Sequence, residues 1–510
     1  MSTSNCKEAL AQIVDGEHVC DNPEVIAAYA SDNSFDPPKK PLAVVRPTDS
    51  SQVQALVAWA YKTKTPLVPV SSGPPHFLGD TVPAAEGAVI VDLSRMNKII
   101  MIDRRNRVVI IEPGVTYNMV QPALAREGLR LSMPLMPRAT KSVLGSVLER
   151  EPITNPRYAW SLTEPLRCLE AVLGDGSRLR TGEMAGASIS TSAGQVMDYA
   201  PLEEVLEKRR KIQETVLYQY GPGQFNYYKL VSAAQGTMGI VTWASLRCEV
   251  LPEVEKFFLV PAPKIAPLID FAYRLLRLRF HDALFIVNGA RLAFMLGENR
   301  DQITRYQQEL PPWVLILGVA GRGLLPRDKV SFLEKDIKDI AQHCGIDLKS
   351  NIGSVHGDHI NDLVLKPSPD PYWKLRSKGG CQDIFFLSTL NRASEFISTM
   401  VSEATAHGYT ASDIGMYIQP THLGTSCHME FNLPFHPAAE HEVQTVKELY
   451  QSASYALSGQ GAFFSRPYGM WSSIAFGRNP MHTDVLRKIK ALFDPHYILN
   501  PGKLCFQDTP

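Results

Sequence analysis

Two stretches of this chain combine residue types and spacings that could do chemistry, and the first is the loop at residues 71–80. The loop is rich in Ser, Gly and Pro and follows the short apolar run at 67–70. Between two buried strands, small residues let backbone N–H groups approach a phosphate closely. No helical pattern follows the loop directly, which excludes a Rossmann turn and a Walker-type phosphate loop. The pattern therefore predicts either a phosphate-binding loop or an ordinary connection between two strands.

The second stretch is residues 419–431, which hold His422, Cys427, His428 and Glu430. Imidazole and carboxylate groups are good ligands for a divalent ion, so a metal site is one interpretation. The stretch also alternates in the manner of a strand, with His428 and Glu430 on one face and Cys427 on the other. We favour this second interpretation, in which the strand forms a pocket wall that supplies polar groups, and we predict no metal.

Composition and charge exclude several classes of protein. The chain has 510 residues, a formal net charge of zero and scattered basic residues, so no nucleic acid or anionic membrane is expected as a partner. Its length predicts two or three domains. Residues 1–15 have no apolar run long enough for a signal peptide, and no apolar run of the chain reaches the length of a membrane-spanning helix. The eight cysteines form no C-x-x-C pair, so we expect neither iron–sulfur nor zinc ligation, and reduced thiols in the cytoplasm are the simplest account.

The elements around the loop at 71–80 predict a βαβ unit. A strand at 42–45 precedes a helix whose start is indicated by Asp49 and Gln52, which are spaced as a capping box. The strand at 67–70 follows, whereas residues 1–40 are expected to be largely irregular with a short helix at 6–14. Further strands are expected at 88–93, 99–103 and 107–112, a helix at 117–127, and a hairpin at Asp175-Gly176.

A second small-residue loop holds Gly236 and Gly239 and opens onto a strand. Two glycines three residues apart permit close approach of the backbone to a flat or charged group. Beyond residue 252, strands alternate with amphipathic helices, which predicts an α+β domain with an antiparallel sheet. The expected strands are 257–260, 284–287, 314–318 and 384–387, and the expected helices are 265–278, 329–344, 392–406, 440–457 and, in the tail, 484–493.

Short motifs spread over nearly the whole chain occur in a fixed order. They are Val44-Val45-Arg46-Pro47, Pro69-Val70-Ser71-Ser72-Gly73, Glu112-Pro113-Gly114-Val115-Thr116-Tyr117, Gly174-Asp175-Gly176 with Arg180-Thr181-Gly182, Met238-Gly239-Ile240-Val241 and Asn500-Pro501-Gly502-Lys503. Together they resemble the flavoproteins of the vanillyl-alcohol oxidase and p-cresol methylhydroxylase (PCMH) type. The resemblance implies an α+β fold in which a PCMH-type FAD-binding domain (1–252 and the C-terminal return 476–510) is split around a cap, or substrate, domain (253–475) with an antiparallel sheet.

The resemblance also implies FAD at the interface of the two domains, with the loop at 71–80 around its pyrophosphate. The FAD-binding residues implied are Pro69, Val70, Ser71, Ser72, Gly73, His76, Phe77, Leu78, Gly79, Pro113, Gly145, Ser146, Glu149, Arg150, Gly236, Gly239, Ile240, Val241, Asp383, Arg466 and Lys503. Some members attach FAD covalently through a His before a cap strand, and Asp383 stands at that position here. A carboxylate does not form that bond, so we expect non-covalent FAD. His76 could in principle attack the flavin, although an ordinary loop His is the simpler interpretation.

The implied reaction is hydride transfer from a substrate carbon to flavin N5, which a nearby carboxylate assists. Glu149 stands at the family's acidic position and is the implied stabiliser or base, with a solvated Glu as the alternative. Arg466 is implied to bind a phenolate or carboxylate, with a structural Arg at the domain rim as the alternative. Two family tyrosines at this anion site are replaced by Leu78 and Ser465, and Tyr468 could compensate.

Three functions follow from these residues. The first is an FAD-dependent oxidase or dehydrogenase acting at the benzylic carbon of a para-substituted phenol or aryl alcohol, an aromatic or anionic small molecule. The second is a 2-hydroxy-acid dehydrogenase with His422 or His428 as base; related enzymes use a metal, but their His-rich glycine motif is absent here. The third is a flavin-binding subunit without its own redox substrate. Oxygen and an electron-acceptor protein both remain as oxidants, and a homo-oligomer is compatible with the sequence but not required by it.

Overall fold

The computed structural model describes residues 3–157, 165–182, 188–189, 198–199, 201–211, 226–279 and 282–506. The helices before residue 252 are α1 (Thr3–Val14), α2 (Pro23–Ala30), α3 (Ser50–Thr63), α4 (Tyr117–Arg126), α5 (Val143–Leu148), α6 (Leu202–Lys211) and α7 (Tyr228–Val231). The strands there are β1 (Val19–Cys20), β2 (Ala43–Val45), β3 (Leu67–Val70), β4 (Val89–Asp92), β5 (Ile99–Asp103), β6 (Val108–Ile111), β7 (Leu129–Arg130), β8 (Leu166–Val172), β9 (Arg178–Arg180), β10 (Ser188–Ile189), β11 (Asp198–Tyr199), β12 (Ile240–Arg247) and β13 (Glu249–Val250).

The remaining elements form the second half of the chain. Its helices are α8 (Ala266–Leu278), α9 (Gly289–Leu296), α10 (Arg300–Glu309), α11 (Pro326–His343), α12 (Gly357–Leu365), α13 (Ala393–Ala406), α14 (Glu440–Gly459), α15 (Met470–Gly477) and α16 (Pro480–Phe493). Its strands are β14 (Val254–Ala262), β15 (Ala283–Asn288), β16 (Trp313–Gly321), β17 (Asn351–Ile352), β18 (Val355–His356), β19 (Gly380–Ser388), β20 (Gly415–Thr421) and β21 (Ser426–Phe435).

A four-stranded sheet in the order β1-β2-β4-β3 carries the predicted βαβ unit. β2 and β3 both pair in parallel with β4, and α3 connects them. The carboxylate of Asp49 accepts hydrogen bonds from the N–H groups of Ser51 (2.8 Å) and Gln52 (2.9 Å), which caps α3 as expected. The Gln52 side chain accepts from the N–H of Thr48 at 2.8 Å, one residue earlier than in a standard capping box.

The second sheet, β5-β6-β12-β8-β9, is antiparallel throughout. β8 and β9 form the hairpin predicted at Asp175-Gly176, where Gly176 has a φ of 86°. β12 lies at the centre of this sheet and begins directly after the second glycine loop. Its residues from 240 to 246 are all buried, so the glycine loop leads straight into the core.

The cap is built on a six-stranded antiparallel sheet in the order β14-β16-β15-β20-β21-β19. All the strands and helices predicted for this part of the chain are present, which confirms the α+β expectation. Most strands run longer than their apolar cores, because ladder hydrogen bonds continue through flanking polar residues. β19 is an edge strand of this sheet.

The short helix expected at 6–14 is present as α1, which begins at Thr3, but the expectation that the rest of residues 1–40 is irregular is wrong, since α2 lies there. α2 begins with Pro23 after Asn22, whose side chain accepts from the N–H of Glu24 at 2.8 Å. Asn at the cap and Pro at the first helical position are both favourable starts. The helix has only 8 residues, so its apolar periodicity is too short to reveal it.

The C-terminal residues return to the first sheet. The N–H of Leu67 donates to the carbonyl of Ile498 at 2.7 Å, and the N–H of Asn500 donates to the carbonyl of Leu67 at 2.8 Å. The predicted tail helix is α16, which begins at Pro480 rather than at residue 484. The three largest sheets are compatible with a division of the chain at residues 252 and 475, and that division stays a prediction.

Within the described ranges, no helix combines the length and apolar content needed to cross a bilayer. All eight cysteines are free thiols. Burial raises the pKa of the Cys248 thiol to about 12, which keeps it protonated at neutral pH. The cytoplasmic location stays a prediction.

Candidate active site

A cavity between the loop at 71–80, helix α5, the start of β12 and the cap brings together most of the predicted cofactor-binding residues; we call it the main cavity. The predicted residues that line it are Pro69, Val70, Ser71, Ser72, His76, Phe77, Leu78, Pro113, Gly145, Glu149, Gly236, Gly239, Ile240, Val241, Asp383 and Arg466. The predicted residues Gly73, Gly79, Ser146, Arg150 and Lys503 do not line it. Gly79, Ser146 and Lys503 instead form hydrogen bonds close to the residues that line the cavity.

Hydrogen bonds around Ser142 join three segments of the lining. The N–H of Ser142 donates to Ser72 Oγ at 3.0 Å, and Ser142 Oγ donates to the carbonyl of Pro113 at 2.5 Å. The same hydroxyl accepts from the N–H of Gly145 at 2.9 Å and so caps α5. A Cβ on Gly145 would lie 3.3 Å from the hydroxyl oxygens of both Ser71 and Ser72, so a larger residue would press against the loop.

The second glycine loop packs against the end of β3. Gly236 has a φ of +71°, and a Cβ there would lie 2.3 Å from Pro69 Cγ. A Cβ on Gly239 would lie 2.4 Å from the hydroxyl of Tyr227, which donates to the carbonyl of Met238 at 2.6 Å. Both positions therefore require glycine, and this close approach brings the two predicted small-residue loops to one site.

The tail closes the far end of the loop at 71–80. Asn500 Nδ2 donates to the carbonyl of Asp80 at 3.2 Å and to the carbonyl of Gln235 at 2.7 Å. Lys503 Nζ donates to the carbonyl of Gly79 at 2.7 Å and lies 3.4 Å from the carboxylate of Asp36. The tail thus connects both loops, and Lys503 positions the loop rather than lining the cavity.

The main cavity has the donors that an anionic dinucleotide requires. Among the described residues, no atom accepts a hydrogen bond from the backbone N–H groups of Ser72, His76 or Phe77. Arg138 and Lys141, which sequence reasoning missed, add two cations to the wall. The apolar residues Ile240 and Val241, at the start of β12, line the same cavity. These groups fit the pyrophosphate and ring system of FAD.

Lys141 lies between two carboxylates at the cavity wall. Its ammonium is 2.7 Å from Glu149 and 3.1 Å from Glu151, and Ser146 Oγ donates to Glu151 at 2.6 Å. Burial would raise the pKa of the Glu151 carboxyl, but Lys141 and Arg466 outweigh burial and hold it at about 2. Glu149 is ion-paired and only 19% exposed, which argues against the alternative of a solvated Glu.

Two further titratable groups in the loop have shifted pKa values. Burial, with a contribution from Glu149, raises the pKa of Asp80 to about 7. Burial, together with Arg138 and Lys141, lowers the pKa of His76 to about 3, so its imidazole is neutral. His76 lines the main cavity, and its Nδ1 lies 3.5 Å from a guanidinium nitrogen of Arg138.

Arg466 is a buried cation at the cap side of the main cavity. Its guanidinium lies 4.0 Å from the ring centroid of Phe385, and the residue is 6% exposed. Among the described residues, no carboxylate comes within ion-pair distance of it. Tyr468 is buried nearby but lines a neighbouring cavity, and burial raises its pKa well above the ordinary value.

A network of charges in the cap forms the wall opposite the loop. Lys374 forms ion pairs with Asp383 and, at 2.8 Å, with Glu430. Arg291 donates to Glu430 at 2.7 Å and also to Asn432. Arg291 and Lys374 were missed from the sequence, because no local spacing connects residues that are 139 and 56 positions from Glu430.

The strand β21 has the predicted alternation. Cys427, Met429 and Phe431 pack in the cap core, whereas His428 and Glu430 face the other way. His428 lies 3.5 Å from Glu430, and burial lowers its pKa to about 4. In the part of the chain that the structure describes, no three His, Cys, Asp or Glu side chains form a metal-binding group.

The two histidines predicted as bases do not line the main cavity. His428 is on the same face of β21 as Glu430, and of these two residues only Glu430 lines the cavity. His422 is half-buried in a short turn after β20, beside the chain at Pro156, whose carbonyl accepts from the N–H of Leu423 at 2.8 Å. Burial lowers the pKa of His422.

Comparison with known proteins gives two family matches. The FAD binding domain family matches residues 41–182, and the C-terminal domain of the FAD linked oxidases matches residues 475–504. The first match covers the sheet and hairpin that surround the loop at 71–80, and the second covers the tail that closes it.

Individual proteins agree with these matches. The crystal structure of p-cresol methylhydroxylase with substrate bound superposes with a TM-score of 0.81 over 99% of this chain and 96% of that chain, at 18% identity, which shows the fold. The 1'-carboxy-chondrochloren decarboxylase of Chondromyces crocatus is 31% identical over 189 residues, or 36% of this chain and 34% of that protein. The probable mitochondrial D-lactate dehydrogenase of Danio rerio is 22% identical over 93% of this chain and 86% of that protein.

The two family matches lie in the N-terminal and C-terminal parts of the chain. The structural match to p-cresol methylhydroxylase extends over 99% of the chain. They confirm the expected cofactor, the α+β PCMH-type fold and an enzymatic role with a small-molecule substrate. Residues 41–182 match the FAD binding domain family and residues 475–504 match the C-terminal domain of the FAD linked oxidases, so the chain is an FAD-dependent oxidoreductase with the overall fold of p-cresol methylhydroxylase.

Proposed function

We propose that this enzyme is of the vanillyl-alcohol oxidase type and oxidises the benzylic carbon of a para-substituted phenol or aryl alcohol. The observation that supports the proposal is Arg466, a buried guanidinium that lines the main cavity and has no carboxylate partner among the described residues. The charge of Arg466 interacts with Glu151, but no direct ion pair among the described residues occupies the guanidinium, so an anionic substrate can accept its hydrogen bonds. A neighbour in fold has p-cresol in its name, which agrees with a phenolic substrate.

The shape of the cap wall favours a ring-shaped substrate. Phe385, Tyr417 and Trp373 line the main cavity near Arg466 and the Arg291 network. Phe385 supports the Arg466 guanidinium from one side, which leaves the N–H donors at its edge for a substrate oxygen. A phenolate bound there would hold its ring among aromatic side chains, where ring contacts are favourable.

The chemistry requires a hydride acceptor and stabilisation of the carbon that loses the hydride. FAD supplies the acceptor, at N5, when it is bound. Glu149 lines the cavity as a carboxylate whose counter-ion is Lys141 at 2.7 Å. Its negative charge stabilises the positive character that develops on the benzylic carbon. Arg466 meanwhile fixes the substrate oxygen and so the position of that carbon.

Substitution of Arg466 tests the proposal. We expect Arg466→Ala to lower the second-order rate of flavin reduction by a reactive phenol about 10- to 100-fold, because one charged hydrogen bond is lost. Arg466→Lys keeps the charge but loses the paired N–H donors of the guanidinium. Its rate of flavin reduction should lie between those of the wild type and Arg466→Ala. The measurement is anaerobic stopped-flow bleaching of the flavin band near about 450 nm. Arg305→Ala, at an exposed position on α10, is the matched control.

The outcome that contradicts this assignment is an unchanged rate in Arg466→Ala. Bleaching by 2-hydroxy acids and not by phenols would move the substrate class to the second candidate. Absence of bleaching by any phenol, aryl alcohol or hydroxy acid would leave a flavin-binding subunit without its own redox substrate.

The second candidate is a 2-hydroxy-acid dehydrogenase, and two observations favour it. The Arg466 guanidinium in the cavity suits a carboxylate as well as a phenolate, and a D-lactate dehydrogenase is among the relatives. Against it, neither His422 nor His428 lines the main cavity, so no imidazole base is in place for the substrate hydroxyl. We therefore rank it second.

We further propose that FAD is bound without a covalent link. Asp383, at the position where some members have a His, is ion-paired with Lys374 and accepts from Asn432 at 2.5 Å. We expect acid precipitation of the holoenzyme to leave all of the flavin in the supernatant, measured by its absorbance. Flavin retained in the protein pellet would contradict this proposal. If the pellet of His76→Asn then contained no flavin, His76 would be identified as the attachment site.

A further inference from the structure

A second cavity adjoins the main cavity, and we call it the side recess. Its wall includes Phe35, Gln382, Tyr450 and Trp471. Phe77, Leu78 and Asp383 line both the side recess and the main cavity. These three residues therefore form a neck between the two spaces, with the loop at 71–80 on one side and edge strand β19 on the other.

The side recess runs from the protein surface to this neck. Lys447 and Gln451, on the outer face of α14, are exposed at its rim. Tyr468 and Trp471 are 4% and 1% exposed and lie at its inner end. Trp471 packs against Phe385 with ring centroids 4.9 Å apart, and Phe385 lines the main cavity. The inner end of the recess is thus one ring from the position proposed for the substrate.

Gln382 gives the recess a specific polar group. The residue is 7% exposed, and among the described residues no group donates a hydrogen bond to its buried Oε1. Its Nε2 makes a long contact of 3.4 Å with the carbonyl of Asp383. Folded proteins rarely leave a buried side-chain oxygen without a donor, because its desolvation costs about 1–3 kcal/mol. A donor carried by a bound molecule would satisfy it.

From these observations we infer that the substrate carries an extended substituent, which passes between Leu78 and Asp383 and donates a hydrogen bond to Gln382 Oε1 in the side recess. This inference rests on the proposed function and narrows its substrate class to phenols or aryl alcohols with a long side chain that has a hydroxyl or amide N–H. Phe35, Tyr450 and Trp471 supply the apolar wall along which the substituent of the substrate lies.

The test uses holoenzyme and phenols whose straight-chain substituent is short, medium or long, at the ortho or para position, and ends in a methyl or hydroxyl group. Dissociation constants come from the change in flavin absorbance on binding, which requires no turnover. For one of the two ring positions, we expect the constant to fall about fourfold for each methylene that enters the recess. A terminal hydroxyl at the right length should lower it about a further fivefold.

Variants locate the effect. Leu78→Trp fills the neck and should abolish the dependence on chain length. Gln382→Leu should remove the preference for a terminal hydroxyl over a terminal methyl but keep the dependence on chain length. Gln444→Leu, on the exposed part of α14 where the Gln444 side chain donates to Glu448 at 2.6 Å, should retain both dependences.

Equal dissociation constants for short and long chains in the unsubstituted enzyme would overturn the inference, as would a chain-length dependence that survives in Leu78→Trp. A hydroxyl preference that survives in Gln382→Leu would overturn the role of Gln382. The proposed function fails separately, when no phenol of any length bleaches the flavin. Bleaching by short phenols without a length effect would leave the proposed function intact and the recess as solvent-filled space.

Discussion

At the scale of single residues, the main cavity is a place where opposite charges are buried together. Lys141, Glu149 and Glu151 form one group, and Arg291, Lys374, Asp383 and Glu430 form another. Within each group every carboxylate has a cation, so the interior bears its charges at moderate cost. Arg466 differs, since it contacts the ring of Phe385 and interacts with Glu151 without a direct ion pair among the described residues.

This burial predicts a loss of stability in acid. The folded pKa of His428 is about 4 against an ordinary 6.5, so the unfolded chain takes up a proton between these values when the folded protein does not. Stability contributed by the neutral imidazole is complete above pH 6.5 and is lost as the pH falls towards 4. Glu151, with a folded pKa of about 2 against 4.5, extends the loss below pH 4.5.

We expect His428→Gln to flatten the fall in unfolding free energy between pH 6.5 and pH 4, measured by urea denaturation at a series of pH values. In the variant, His76 still acts in the same direction down to about pH 3, whereas Asp80, with a folded pKa of about 7 against 3.8, acts in the opposite direction between those two values. The exposed His359→Gln is the control and should leave the slope as it is. An equal slope in wild type and His428→Gln would contradict the buried neutral imidazole.

The sequence identified some of these residues and not others. Glu149 and Arg466 were found because each occupies a position that a family motif marks. Lys141 lies only 8 residues before Glu149, but a lone Lys in a turn has no pattern that distinguishes it from a surface residue. Arg291 and Lys374 meet Glu430 only through the pairing of cap strands with helix α9 and the turn at Trp373–Leu375. Such contacts depend on tertiary structure, which spacing alone does not contain.

At the scale of elements, periodicity was sufficient wherever an element was long and amphipathic. The predicted α3, α8, α11, α13 and α14 all occur within a few residues of the observed bounds. Short or fully buried elements were missed: α2 has 8 residues, and every residue of α9 is buried, so it shows no polar face. The site depends on loops rich in small residues, which show no hydrophobic periodicity. Their function was predicted instead from the order of the motifs along the chain.

The close packing of Gly236 against Pro69 of β3 can be tested by substitution. We expect Gly236→Ala to weaken FAD binding more than tenfold, because a Cβ 2.3 Å from Pro69 Cγ forces the two loops apart. The measurement is titration of apoprotein with FAD, followed by flavin fluorescence.

Gly323→Ala is the matched control, since Gly323 has a similar φ of +68° but open space around it. It should carry only the backbone cost of about 1–2 kcal/mol and keep the wild-type affinity for FAD. Equal FAD affinities in the two variants would show that the contact with Pro69 does not shape the cofactor site.

At the scale of the whole molecule, the proposed FAD site draws on the N-terminal sheets, the cap and the C-terminal tail. A ligand that binds only the folded state stabilises it by mass action, by about 2.7 kcal/mol at a hundred times its dissociation constant. We therefore expect the melting temperature to rise steadily with FAD concentration. The measurement is thermal unfolding of apoprotein followed by intrinsic tryptophan fluorescence.

Riboflavin is the matched control for this experiment, because it has the ring system of FAD but no pyrophosphate. If the loop at 71–80 surrounds the pyrophosphate, riboflavin should raise the melting temperature much less than FAD at equal concentration. An equal rise with both ligands would contradict the role of the loop.

The bonds from Asn500 and Lys503 to the loop also bear on the order of events during protein synthesis. They join residues separated by 420 and 424 positions, so a ribosome makes the loop long before the side chains that close it. Both N-terminal sheets can pair while the later part of the chain is still being translated. A nascent chain therefore forms the N-terminal sheets first and acquires its capacity to retain flavin only when residues 500–503 emerge.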